Sequence, residues 1–242
     1  MLPRRLVFIL CLLAIAIGKV TAQNPETKNP EKTAEESVRP GINEKFVDPG
    51  LDVSEWLGRF EIESREVYSG REQVLDICAI RPAMVVADIG AGTGFFSRLF
   101  AAAVGEKGWV YAVDISPRFL EHINSKTQED GVNNVTSVLC TDRSVTLPPN
   151  SIDMAFICDT YHHFEYPQLT LASIHRALKP GGTLVVIDFE RIPGKSRDFV
   201  MGHVRAGKKV FQLEVLDAGF RFVEEVQVPT FKENYLLRFR KS

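Results

Sequence analysis

The chain has 242 residues, is 45% hydrophobic and 25% charged, and carries a formal charge of −2. That length suits one domain with an extension, and the apolar share is enough for a real core. The slight acidity deepens once Arg4, Arg5 and Lys19 of the first 22 residues are set aside, so the charge pattern of a nucleic-acid binder is excluded.

Residues 1–22 read as a signal peptide. Arg4 and Arg5 form a basic start, Leu6 to Ile17 an unbroken apolar run, and Val20-Thr21-Ala22 a site that signal peptidase would read. The run falls short of the ~20 residues of a spanning helix. Export to the periplasm or beyond is therefore expected, with membrane contact only through an uncleaved signal. Residues 23–45 are mostly polar and are expected to be a flexible linker. Residues 46–80 are expected to form an N-terminal helical cap. Trp56, Leu57 and Phe60 recur at helical spacing, and a second helix is expected from about Glu63 to Ile80, with Val67, Val74, Leu75 and Cys78 inward. Cys11, Cys78, Cys140 and Cys158 make no C-x-x-C and no disulfide framework.

Met84 to Ile89 is a short apolar run, expected as a buried strand, and glycines follow at 90, 92 and 94. Phe96, Leu99 and Phe100 then mark a helix over Phe95–Ala103. Such a strand, glycine turn and helix let a ligand approach the backbone at a helix N-terminus. The dinucleotide fingerprint needs a glycine where Phe95 stands. Asp88, two residues before Gly90, would oppose a pyrophosphate and suits a ligand with an ammonium group. Trp109–Asp114 is expected as a second strand. Its terminal Asp114, 20 residues beyond Gly94, is placed to accept from two ribose hydroxyls. Asp114 or Ser116 can also cap a helix starting near Pro117.

Val135–Cys140, Ile152–Cys158 and Thr183–Asp188 read as further strands, separated by a loop at 144–150 and a helix over Leu169–Leu178. Lys179-Pro180-Gly181-Gly182 stops that helix. Gly194–Gly202 reads as a loop with room for a short helix, Ala206–Ala218 as a helix, and Phe220–Val228 with Tyr235–Phe239 as a closing antiparallel pair. The alternation predicts an α/β, doubly wound fold.

The D-x-G-x-G-x-G at 88–94 and the L-K-P-G-G-x-L at 178–184 resemble the class I S-adenosylmethionine-dependent methyltransferases, over roughly residues 75–240. The resemblance implies a Rossmann-like seven-stranded, mostly parallel sheet with an antiparallel C-terminal pair, and residues 81–242 as the methyltransferase domain. It implies S-adenosylmethionine as cofactor and a small-molecule methyl acceptor. Cofactor contacts are expected from Asp88, Gly90, Ala91, Gly92, Thr93 and Gly94 in the turn. Asp114 and Ile115 would follow on the second strand, Asp142 beside the adenine, and Asp159 after the fourth strand. Tyr161, His162 and His163 are expected to face the acceptor, with one histidine as base or orienting group. The sequence does not say which ring, and His203 can approach from the loop after strand five. No metal is expected, because neighbouring ligands on one loop rarely converge without further partners. Two other readings stay open: a non-catalytic ligand- or partner-binding protein on this fold, and a nucleotide-dependent oxidoreductase. Oligomeric state is not legible.

Overall fold

The computed structural model describes residues 35–242; the expected signal segment and most of the expected linker lie outside the described residues. Its strands are β1 (Val85–Ile89), β2 (Trp109–Asp114), β3 (Val135–Leu139), β4 (Ile152–Cys158), β5 (Leu178–Phe189), β6 (Phe220–Val226) and β7 (Asn234–Lys241). They form a seven-stranded sheet in the order β3-β2-β1-β4-β5-β7-β6. β1 to β5 run parallel, and β7 lies antiparallel between β5 and β6. The chain leaves β1 towards β2 on one side and later returns to β4 on the other. The crevice outside the carboxyl ends of β1 and β4 is therefore the topological switch point, where ligands of such sheets bind.

The helices are α1 (Glu44–Val47), α2 (Val53–Phe60), α3 (Glu66–Ser69), α4 (Arg71–Cys78), α5 (Phe95–Val104), α6 (Pro117–Glu129), α7 (Pro167–Ala177), α8 (Asp198–His203) and α9 (Lys208–Asp217). The central strands are largely apolar on both sides because successive side chains serve opposite faces, both covered. Met154, Phe156, Val185 and Ile187 pack with Val74 of α4 and with Phe96, Phe100 and Val104 of α5. Ala155, Ile157, Leu184 and Val186 pack on the other face with Leu171 and Ile174 of α7 and Phe211 and Val215 of α9. Phe156 meets Phe96 and Phe100 with both ring centroids at 4.9 Å. Full burial of side chains of this size stabilises by roughly 1.5–3 kcal/mol each.

Three local readings change. The single helix expected over 63–80 is two, α3 and α4, parted at Gly70. A Cβ at Gly70 would stand 2.3 Å from Thr230 Oγ1, so a C-terminal loop packs into that gap. The described part of the expected linker, residues 35–45, is docked rather than free. Glu35 accepts the N–H groups of Gln168 and Leu169 at the start of α7, and Val38 N–H donates to Glu165 O at 2.8 Å. Finally, Lys179–Gly182 is a bulge inside β5: Leu178 already pairs with Ile152, and pairing resumes with Thr183 opposite Met154.

Candidate active site

Three residues of the glycine turn are built for different neighbours. Gly90 has φ +75°, and a Cβ there would lie 2.2 Å from Thr160 Cγ2, so β1 and β4 close on each other only over a bare backbone. Gly92 has φ +54°, yet a Cβ there would meet only the Phe60 ring, at 3.3 Å. Its open side is a cavity of about 480 Å³, a volume in the usual range for small-ligand sites. Gly94 closes the turn against Ile123 of α6.

Asp114 ends β2 at the cavity and is 6% exposed. Its Oδ2 accepts from Gly92 N–H and its Oδ1 from Ser116 N–H, each at 2.8 Å. A carboxylate offers about four acceptor positions, so two stay free for hydroxyl donors. Burial pushes its carboxyl up to about 6, against the pull of those backbone donors. Ser116, not Asp114, caps α6, accepting from Phe119 N–H at 3.4 Å. Gly90, Ile115, Asp142 and Asp159 line the same cavity.

Asp159 sits at the end of β4 with φ +48°, a strained conformation for aspartate. It is fixed from two distant segments: Arg65 Nη2 donates to Oδ2 at 2.7 Å, and Asn234 Nδ2 to Oδ1 at 2.6 Å. Burial still raises its carboxyl above the usual range, with Arg65 opposing. Neither Arg65 nor Asn234 was among the expected site residues. Both are separated from Asp159 by at least 75 residues, and no local pattern announces such a contact.

Four expected residues of the turn do not face the cavity. Asp88 is 3% exposed behind the turn, where it accepts from Ser97 Oγ at 2.6 Å. Burial pushes its carboxyl up to about 7. It therefore braces α5 against β1 and has no free path to an ammonium. Ala91, Thr93 and Gly94 shape the turn through their backbones: Ala91 N–H donates to Val113 O, Gly94 N–H to Ala91 O, and Thr93 O accepts from Arg98.

Tyr161 is a further correction. Its ring is fully buried against Phe164 and Phe211, and its hydroxyl donates to Glu214 at 2.9 Å on the side of α9. In the 3₁₀ turn Tyr161–His163, Tyr161 points into the core, while His162 and His163 line the cavity. His162 Nδ1 lies 2.8 Å from Asp188 Oδ1, and its backbone N–H donates to Asp188 Oδ2 at 3.0 Å. His163 Nδ1 lies 3.2 Å from Asn43 Oδ1, and its Nε2 lies 3.2 Å from Nε2 of His203 at the end of α8. Burial, followed by His162 close by, pushes His163 down to about 2 and His203 to about 4. Both rings are neutral near pH 7 and weak as proton acceptors. The remaining wall is aromatic: Phe46, Trp56 and Phe60 run in sequence at 5.0 and 5.2 Å between centroids, with Phe119 beneath.

Sheet order, glycine turn and the acid at the end of β2 are arranged as in the Rossmann-like fold of S-adenosylmethionine-dependent methyltransferases. Residues 87–186 match the family model described as a methyltransferase domain. The curated relatives include the ubiquinone/menaquinone biosynthesis C-methyltransferase UbiE of Shewanella sp. (strain W3-18-1), 32% identical over 122 residues, which cover 50% of this chain and 49% of that one. UbiE of Hydrogenovibrio crunogenus is 29% identical over 50% of this chain and 48% of its own. The chain thus spans about half the length of the curated relatives it matches. Among solved structures, a SAM-dependent methyltransferase from Aquifex aeolicus superposes with a TM-score of 0.70 at 27% identity, over 79% of this chain and 99% of that one. The [4+2]-cyclase SpnF shares the fold, with a TM-score of 0.62 at 17% identity over 72% and 81%.

Proposed function

We propose that this chain transfers the methyl group of S-adenosylmethionine to a small acceptor held against the aromatic and histidine wall. The observation that carries this reading is one cavity shared by Gly92, Asp114 and the histidine pair. The residues fit the cofactor: Gly92 exposes backbone to the cavity, and Asp114 keeps free lone pairs there for ribose hydroxyls. When bound, S-adenosylmethionine supplies a methyl group on a cationic sulfur, and a neutral thioether leaves without acid assistance. The protein's work is then chiefly positioning. Gly90, Gly92, Ile115 and Asp142 hold the cofactor side. Asp159, clamped by Arg65 and Asn234, forms the floor between the two halves. Phe46, Trp56 and Phe60 enclose the acceptor and exclude water.

The histidines orient the acceptor rather than remove its proton by His163 or His203, whose neutral, desolvated rings suit a base poorly. The aromatic wall favours a flat, largely apolar acceptor, and the name of the UbiE relatives agrees with that class. An oxidoreductase reading loses ground at Phe95, which packs on Tyr68 at 4.7 Å where the dinucleotide fingerprint needs glycine. Calorimetric titration should show saturable binding of S-adenosylmethionine and none of NAD. Release of S-adenosylhomocysteine should follow across a panel of quinol-like and phenolic acceptors. Binding of NAD in its place would overturn the reading.

The charge and apolar order of residues 1–22 support export with cleavage after Ala22. The mature protein is then expected to begin at Gln23 by mass spectrometry of native material. A Met1 terminus on cytoplasmic protein would remove that proposal.

A further inference from the structure

His162 and His163 leave β4 on one loop, and His203 arrives from α8, 40 residues beyond His163. One ring nitrogen of each lies within 4.8 Å of one in both others. The surrounding bonds decide which nitrogens are free. Asn43 Nδ2 donates to His163 O at 3.0 Å, so its Oδ1 is the end that meets the ring. Nδ1 of His163 therefore carries the proton, and Nε2 carries a lone pair. Asp188 already accepts the N–H groups of His162 and Phe189, and it accepts Nδ1–H of His162 as well. Nε2 of His162 is then the second lone pair. Two lone pairs in one cluster of three rings favour a positive centre among them, and a single proton from His203 can serve only one.

We propose that His162, His163 and His203 form a binding site for a divalent transition ion of the zinc type, ligated through Nε2. At a tetrahedral ion with Zn–N of about 2.0–2.1 Å, two ligand nitrogens stand ~3.3 Å apart; Nε2 of His163 and of His203 are 3.2 Å apart. His162 completes the set by a small ring movement. Asp188 and Asn43 are the outer partners, fixing tautomer and ring direction as carboxylates and carbonyls do behind metal-bound histidines. Three imidazoles without thiolate suit zinc, cobalt, nickel, copper or iron and not magnesium or calcium. Lys45 and Arg39 act against a bound cation, and the buried Asp188 acts for it. Lys45 is also turned onto the rings of Phe46 and Trp56, at 4.8 Å from each centroid.

Three protein ligands leave a fourth position open, and the histidines line the cavity. The ion's place beside the acceptor, where it would take an oxygen or sulfur of that molecule, rests on the methyl-transfer reading; the site itself does not. The test uses the full, untagged chain, stripped with chelator and titrated with Co²⁺ by visible absorption, then with Zn²⁺ by calorimetry. One equivalent of each should bind, Zn²⁺ displacing Co²⁺ and abolishing its spectrum. His203→Ala, at a half-buried position, should lose the spectrum while keeping its Tm and its affinity for S-adenosylmethionine. Asp188→Asn should weaken binding by about 10–100-fold, the range for outer partners. If Asp188→Asn does not fold, His163→Gln takes its place and should lose the spectrum. No saturable binding in the wild type, or binding untouched by His203→Ala, overturns the proposal. Metal binding without binding of S-adenosylmethionine would leave the site standing and remove the methyl-transfer reading.

Discussion

Asp114→Asn separates cofactor binding from fold. The two backbone donors on Asp114, Gly92 N–H and Ser116 N–H, are both at 2.8 Å and take one oxygen each. Asparagine has a single acceptor oxygen, so one of these N–H groups faces an NH₂ whichever way the amide turns. A buried donor left unpaired costs about 1–3 kcal/mol. In a domain of this size each kcal/mol lowers Tm by roughly 2–4 °C. On the ligand side, each charge-assisted bond to a ribose hydroxyl is worth about 1.5–3 kcal/mol. Loss of one raises the Kd for S-adenosylmethionine at least about tenfold, since a decade is 1.4 kcal/mol. Asp114→Ala removes the acceptors of both backbone N–H groups and should cost more in Tm. The carboxylate form is the one that accepts, and burial pushes this group up to about 6. Wild-type affinity should therefore be full above that pH and decline below it, a decline the asparagine variant lacks. Calorimetry well below the Tm of each variant reads both effects. A lowered Tm with wild-type affinity in Asp114→Asn would show that the cofactor does not use this carboxylate.

Gly90→Ala and Gly92→Ala should part company. The first drives Cβ to 2.2 Å from Thr160 and should lower Tm sharply; the second adds only the strain of φ +54° and a contact with Phe60 at 3.3 Å, and should lower Tm less while losing affinity for S-adenosylmethionine, both read by thermal unfolding and calorimetry. Asp88 holds its proton to about pH 7 when folded, against 3.8 for an ordinary aspartate. The unfolded chain releases that proton first, so stability falls as pH rises from about 4 to about 7, by about 1.4 kcal/mol per unit for a single group. Asp88→Asn, which can still accept from Ser97, should match the wild type near the low end in denaturant melts and exceed it above the high end; equal curves throughout would refute the assignment. Tyr161→Phe should cost about 1 kcal/mol for its lost bond to Glu214 and leave turnover unchanged, because Glu214 stays paired with Arg205; a large loss of turnover would return Tyr161 to the active site.

Legibility in the sequence followed the range of the contacts. β1, the glycine turn and α5 are contiguous, so periodicity and glycine spacing sufficed, and Asp114 needed only one βαβ unit more. The turn at 161–163 failed because a 3₁₀ turn points adjacent side chains in different directions, and burial of Tyr161 depends on Phe211 and Glu214 of α9. Gly70 looked like an interior helix residue; only Thr230, packed from the C-terminal loop, explains the break. Arg65, Asn43 and Asp188 came to the site from separate segments, and no spacing rule joins such pairs; His203 was expected only to approach from the loop after strand five. His162 and His163 with Asp159 or Glu165 gave only ligands on one loop, which rarely converge on a metal without a partner from elsewhere.

The cavity's walls divide unevenly along the chain. Gly90, Gly92, Asp114 and Asp142 lie within the matched span 87–186, whereas Phe46, Trp56, Phe60, Arg65, Phe199 and His203 lie outside it. Kinship measured over the shared span therefore speaks for the donor side, and on the recipient side only for His162, His163 and Phe119. Grafting residues 35–65 and 197–203 onto a relative, or exchanging them for a relative's own, would be the direct way to move recipient preference while the donor half stays as it is.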